Sequence, residues 1–162
     1  MTAVSNSTPL IALAKINRLD LLKDYFGEIY IPEEVYDEVV RRGGNLAGSS
    51  EVASCTWIKV VPVRNKMAVE TLSLSLDKGE AEAIVLSREK ESLLIIDDGA
   101  GRKTAELLGV KITGTLGVLL LASKDGKLSL EKTMDDLKSV GFHLSEREYK
   151  RILSLSLMIR RG

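Results

Sequence analysis

Apolar residues in this chain fall either in short continuous runs or in longer segments where they recur every third or fourth position. The first pattern suits strands buried on both faces, and the second suits helices with one inward stripe. Strands are predicted at Ala3 to Ser5, Glu28 to Ile31, Trp57 to Val63, Leu93 to Ile96 and Val110 to Thr113. They alternate with the helical segments, so the expected fold class is α/β: a parallel five-stranded sheet covered by helices on both faces.

The helices have recognisable ends. Thr8-Pro9 offers a capping hydroxyl and then a proline for the first turn, opening a helix that buries Leu10, Leu13 and Ala14. A short helix over Leu19 to Phe26 stops at Gly27. Ile31-Pro32 closes the second strand and opens a helix through Arg42, with Val35, Val39 and Val40 as its inner stripe. Arg41 to Ser50, rich in glycine and serine, reads as a loop at the mouth of a cleft. Asp77 begins a strongly helical run, and further helices are predicted at Gly101 to Leu108, Leu116 to Lys124, Leu130 to Val140 and Glu146 to Met158.

Size and charge narrow the classes. A chain of 162 residues with 44% hydrophobic content is expected to form a single domain, residues 1–162. Its 23 basic residues cancel its 23 acidic ones, so polyanion binding needs a local patch or a bound metal. Cys55 has no partner for a disulfide, and with His143 as the single histidine there is no zinc set. The longest apolar run, Val118 to Ala122, is too short to cross a bilayer, and Met1 to Leu10 lacks the pattern of a signal peptide. A soluble, cytoplasmic protein with no membrane partner is expected.

Candidate chemistry lies in the acids. Leu93 to Ile96 runs directly into Asp97 and Asp98 and then a glycine-rich turn, which delivers two carboxylates to the sheet edge where α/β folds place their sites. Glu38 and Glu80 fall at helix positions facing the same edge. Carboxylates gathered in a low-dielectric cleft repel by several kcal/mol unless a cation sits among them, so clustering predicts a metal. Ligation by oxygen alone points to Mg²⁺ or Mn²⁺, and such ions serve phosphodiester hydrolysis without a histidine or cysteine nucleophile.

Plainer readings stay open for each group. Glu80 stands three residues after Asp77, the spacing of a capping box, while Glu82 points about 200° away from it around the helix and toward solvent. Glu38 also fits a solvated helix face, and one of Asp97 and Asp98 also fits a cap for the helix after Gly99. His143 reads as a loop or capping residue. Gly114-Thr115-Leu116-Gly117 opens a helix whose amides either hold a phosphate or are simply capped. Arg41, Arg42, Arg102 and Lys103 can reach an RNA backbone or stay solvated. Leu153, Leu155, Leu157, Met158 and Ile159 pack either on a neighbouring subunit, giving a homodimer or higher oligomer, or on the core.

Taken together, the segments SNSTPLIALAKINRLDLL, IPEEVYDEVV, DKGEAEAIVLS, LLIIDDGAGRKTAELLG and GTLGVLLLASKDG resemble the PIN-domain family over roughly Val4 to Leu153. The resemblance implies a three-layer α/β/α sandwich with an acidic pocket at the strand ends. It also implies a Mg²⁺- or Mn²⁺-dependent ribonuclease acting on RNA, expected to be single-stranded, and a toxin role with an antitoxin protein as partner. By position the family's acids match Asn6, Glu38, Glu80 and Asp98, with Asp97 as the alternative for the last. Asn6 stands where the family usually has aspartate. Its amide oxygen can coordinate a cation but brings no charge, so metal affinity should fall. Either Asp97 restores that charge, or this member is a degenerate module that binds RNA or a protein without cutting. Ser7 and Thr8 add hydroxyls that orient a water or cap the helix, the cap being favoured for Thr8.

Overall fold

A computed structural model describes residues 2–97 and 99–161. Five parallel strands, β1 (Ala3–Ser5), β2 (Ile29–Ile31), β3 (Ile58–Val60), β4 (Leu93–Ile95) and β5 (Ile112–Thr113), form one sheet in the order β3-β2-β1-β4-β5. Each strand lies inside the apolar run that predicted it. Ladders stop earlier than hydrophobicity does. Val61 still donates its N–H to the Ile31 carbonyl at 2.9 Å, but Pro62 has no N–H to continue β3.

The helices are α1 (Ser7–Lys15), α2 (Asp20–Phe26), α3 (Glu33–Tyr36), α4 (Ser49–Ser54), α5 (Lys66–Leu72), α6 (Lys78–Lys90), α7 (Gly99–Leu107), α8 (Thr115–Lys124), α9 (Leu130–Ser139) and α10 (Glu146–Arg161). Side chains alternate across the strands, and two cores result. Ala3, Ile29, Ile31, Ile58 and Ile95 pack with α1, α2, α8 and α9 on one face. Val4, Leu94 and Ile96 pack with α6 and Ala105 of α7 on the other. This is the expected α/β architecture, with the sheet as the middle layer. Among the described residues, no helix is long and apolar enough to cross a membrane.

Several local expectations need correction. The first helix starts at Ser7 with Asn6 in the N-cap position, which leaves Thr8 exposed inside the first turn rather than at the cap. The helix after β2 is not continuous, because α3 runs into a π-helical turn over Asp37–Arg41. The glycine-rich stretch holds turns only to Gly48, whose φ of +97° and N–H bond to Glu51 start α4. Neither α4 nor α5 is visible in the hydrophobic pattern, because each is short and buries few residues. At the chain's end Leu153 and Leu155 pack on the core, whereas Leu157 and Met158 are 56% and 69% exposed.

Candidate active site

β1 and β4 are neighbours, yet the connection after β1 leads to β2 on one side of it and the connection after β4 leads to β5 on the other. The crevice beyond their carboxyl ends is the switch point at which open α/β sheets bind ligands. Asn6 sits there. Its N–H donates to the Ile95 carbonyl at 3.0 Å, and its extended backbone (φ −81°, ψ 174°) makes it the N-cap of α1. Its side chain makes no capping bond and is only 5% exposed. Among the described residues that side chain has no hydrogen-bond partner, so a nearly buried amide with some exposure is left free where the strands end.

Glu38 reaches the same end of the sheet from the π-helical turn. Ser7, the residue after Asn6, donates its hydroxyl to Glu38 Oε2 at 2.6 Å. Glu38 Oε1 lies against Gly79 in the first turn of α6, so close that a Cβ on residue 79 would stand 2.4 Å from it. Burial pushes the Glu38 carboxyl above its ordinary range. The Ser7 bond opposes that shift, Asp77 and Glu34 add to it, and Arg42 opposes it weakly. A half-buried carboxylate among acids, with its nearest arginine bonded to Glu34 instead, is a carboxylate short of positive charge.

Glu80 is half-buried in the first turn of α6, and the Asp77 carboxylate accepts its N–H at 2.8 Å, so the helix cap is made by Asp77. Glu82 differs from expectation. It is half-buried, and its carboxylate accepts the Glu34 N–H at 3.2 Å instead of facing solvent.

Asp97 is drawn elsewhere. Its Oδ1 accepts the Thr115 N–H at 2.8 Å and its Oδ2 accepts the Thr115 hydroxyl at 2.5 Å. It therefore caps α8, not the helix after Gly99. Burial raises its carboxyl, while the two Thr115 bonds and the Arg102 guanidinium pull it back down. Thr115 is wholly buried with both donors on Asp97, which turns neither toward a phosphate and corrects its reading as an RNA contact. Of the other candidate RNA contacts, Arg41 is paired with Asp37 and Arg42 with Glu34, both at 2.5 Å. Arg102 donates to the Ile96 carbonyl at 2.8 Å, and Lys103 is exposed.

Asp98 lies outside the described residues. Among those described, no group of three or more His, Cys, Asp or Glu side chains is positioned to hold a metal ion. What the structure brings together at the end of β1 is the Asn6 amide, the Ser7 hydroxyl, the Glu38 carboxylate and the α6 turn that carries Glu80. These are hard oxygen donors with a deficit of positive charge, a set whose chemistry fits a hard divalent cation. Two contributors escaped the sequence reading: Gly79, whose missing side chain makes room for Glu38, and Thr115 as the partner of Asp97. A small residue beside Glu80 is the one signal that hinted at the first.

A family model described as a PIN domain matches residues 2–157, nearly the whole chain. No curated protein matches it.

Proposed function

The chain belongs to the PIN-domain family, whose members generally use divalent metal ions, and from that premise we propose that it is a metal-dependent endoribonuclease acting on single-stranded RNA. Glu38, Glu80 and Asp98 would hold Mg²⁺ or Mn²⁺, with the Asn6 amide oxygen beside them, while Asp97 is fastened to Thr115. When bound, such an ion supplies a water nucleophile at neutral pH and offsets charge on the phosphate. The chain's own part is to hold and orient. Ser7 fixes one oxygen of Glu38, Gly79 makes room for the other, and the unspent Asn6 amide offers a neutral acceptor or donor to the substrate or a water.

The observation that carries this reading is the pairing, at the end of β1, of a buried amide without a partner and a carboxylate lacking compensating charge. Incubation with single-stranded RNA and Mn²⁺ tests it. Cleavage by the natural chain that is lost in Asp98→Asn and Glu80→Gln supports the reading, and cleavage indifferent to both changes overturns it.

A second reading is favoured by Asn6 itself, which removes one negative charge from the family pattern. In it the fold binds RNA or an antitoxin-like protein without cutting. Calorimetric titration with Mn²⁺ separates the two, because a degenerate pocket takes up no metal at millimolar concentration. The finer proposal, that the protein is the toxin of a toxin–antitoxin pair, is tested by asking whether a small reading frame on the same transcript encodes a protein that binds it and blocks cleavage.

A further inference from the structure

A cavity of about 800 Å³ opens between β5, the start of α8 and the turn joining α9 to α10. That volume lies within the roughly 300–1,000 Å³ of ligand sites. Three basic side chains line it, Arg102, His143 and Arg151, together with the ring of Phe142. Its two acids are already engaged, Asp97 by Thr115 and Glu148 by the Ser145 hydroxyl at 3.1 Å. Arg151 and His143 are exposed, and among the described residues neither has a hydrogen-bond or ion-pair partner. The two arginines of the wall balance its two acids, but of these four charged groups Arg151 alone has no partner among the described residues.

The Phe142–His143 turn is held in place. Gly141 adopts φ +92°, and the Phe142 N–H returns to the Leu137 carbonyl at 3.0 Å, closing the end of α9 with the left-handed residue such a closure needs. Phe142 is half-buried, packs against the core and also borders a smaller cavity with Thr8 and Ile11. An aromatic ring on a fixed turn beside an unpaired guanidinium is the equipment with which proteins take single-stranded nucleic acid: stacking for a base and charge for a phosphate. Asp97, in the cavity wall, follows β4, so the cavity opens at the carboxyl end of the sheet.

We propose that this cavity binds one nucleotide of single-stranded RNA next to the scissile phosphate, with Arg102 and Arg151 on phosphate oxygens and Phe142 and His143 against the base. The inference rests on the RNA-cleaving reading for its substrate class and goes beyond it in assigning the residues that hold the strand.

The test is fluorescence anisotropy with a short end-labelled single-stranded RNA, in a chelator so that nothing is cut, over a range of salt. Arg151→Ala and His143→Ala are exposed substitutions that leave the core intact, and Lys132→Ala on the exposed side of α9 is the control. Arg151→Ala is expected to weaken binding about fivefold or more and to lower the slope of log affinity against log salt by about 0.7, which Arg151→Lys restores. His143→Ala weakens binding without changing the slope at pH 8, and Lys132→Ala changes neither. Wild-type binding by both Arg151→Ala and His143→Ala overturns the proposal, as does a natural chain that binds no RNA. The nuclease reading fails separately: a chain that binds through Arg151 yet never cuts with Mn²⁺ keeps the nucleotide site, and one that cuts with an unchanged KM in Arg151→Ala loses it.

Discussion

The Ser7 hydroxyl donates to Glu38 Oε2 at 2.6 Å across 31 residues of chain, tying the first turn of α1 to the π-helical turn after β2. A π-turn inserts a residue into the helical register and re-aims the side chains around it. Here it carries Glu38 to the sheet end, where the hydroxyl meets it. Ser7→Ala removes the donor from a half-buried carboxylate, an interaction worth about 1.5–3 kcal/mol when the acceptor is charged. Mn²⁺-dependent cleavage should fall about tenfold, because Glu38 loses its fixed orientation. Steady-state kinetics with a parallel thermal melt checks this, the fold remaining intact in the melt.

Gly79→Ala should separate stability from activity. The added Cβ would stand 2.4 Å from Glu38 Oε1, so the carboxylate must leave its position. Within α6 the same substitution favours the helix, by up to about 1 kcal/mol. The melting temperature should hold or rise by about 2–4 °C, while calorimetry shows weaker Mn²⁺ uptake and cleavage drops. Loss of stability together with unchanged metal affinity would contradict the arrangement.

The strands and the long helices were legible because each carries its own periodicity: Ala3 to Ser5 and Leu93 to Ile95 are strands where the apolar runs put them, and α6 begins at the Asp77 cap. Features that depend on a distant partner were not. Asp97 looks like an acid at a strand end until Thr115, 18 residues on, takes both its oxygens. Arg41 and Arg42 look like a basic edge until Asp37 and Glu34 pair with them. The π-turn has no hydrophobic signature, since Val35 and Val39 are buried either way. Local chemistry named the acids, and tertiary contacts set Asp97, which fastens a helix, apart from Glu38, which Ser7 holds at the end of β1.

Two phenols report on packing far from that crevice. Tyr25 donates to Asp125 at 2.7 Å and Tyr149 to Asp135 at 2.9 Å. Burial, and then the hydrogen bond and charge of the carboxylate, push both up to about 12 from an ordinary 10.0. A group whose acidity is weakened by folding contributes stability that is fully present below its unfolded value and is lost as pH rises through the folded one. The loss therefore falls between about pH 10 and 12. Ultraviolet titration should show Tyr25 and Tyr149 ionising late, and Tyr25→Phe should remove one of these late steps. The same variant should narrow the gap in melting temperature between pH 8 and pH 11.

Asp97 and Asp98 should respond to substitution in opposite ways. Asp97→Ala leaves the Thr115 N–H without an acceptor and its hydroxyl buried and unpaired, a loss of about 2–4 kcal/mol by the usual cost of a helix cap and an orphaned polar group. Asp97→Asn keeps an oxygen for the N–H and an N–H for the hydroxyl oxygen, so its cost is smaller, about 1 kcal/mol. Asp98→Asn, at the position proposed to hold the ion, is expected to abolish cleavage while the denaturation midpoint stays put. Urea unfolding of the three variants beside RNA cleavage with Mn²⁺ decides the matter. If Asp97→Ala unfolds like the natural chain and stops cleavage, Asp97 is a ligand and not a fastening, and the division of labour between the adjacent aspartates is reversed.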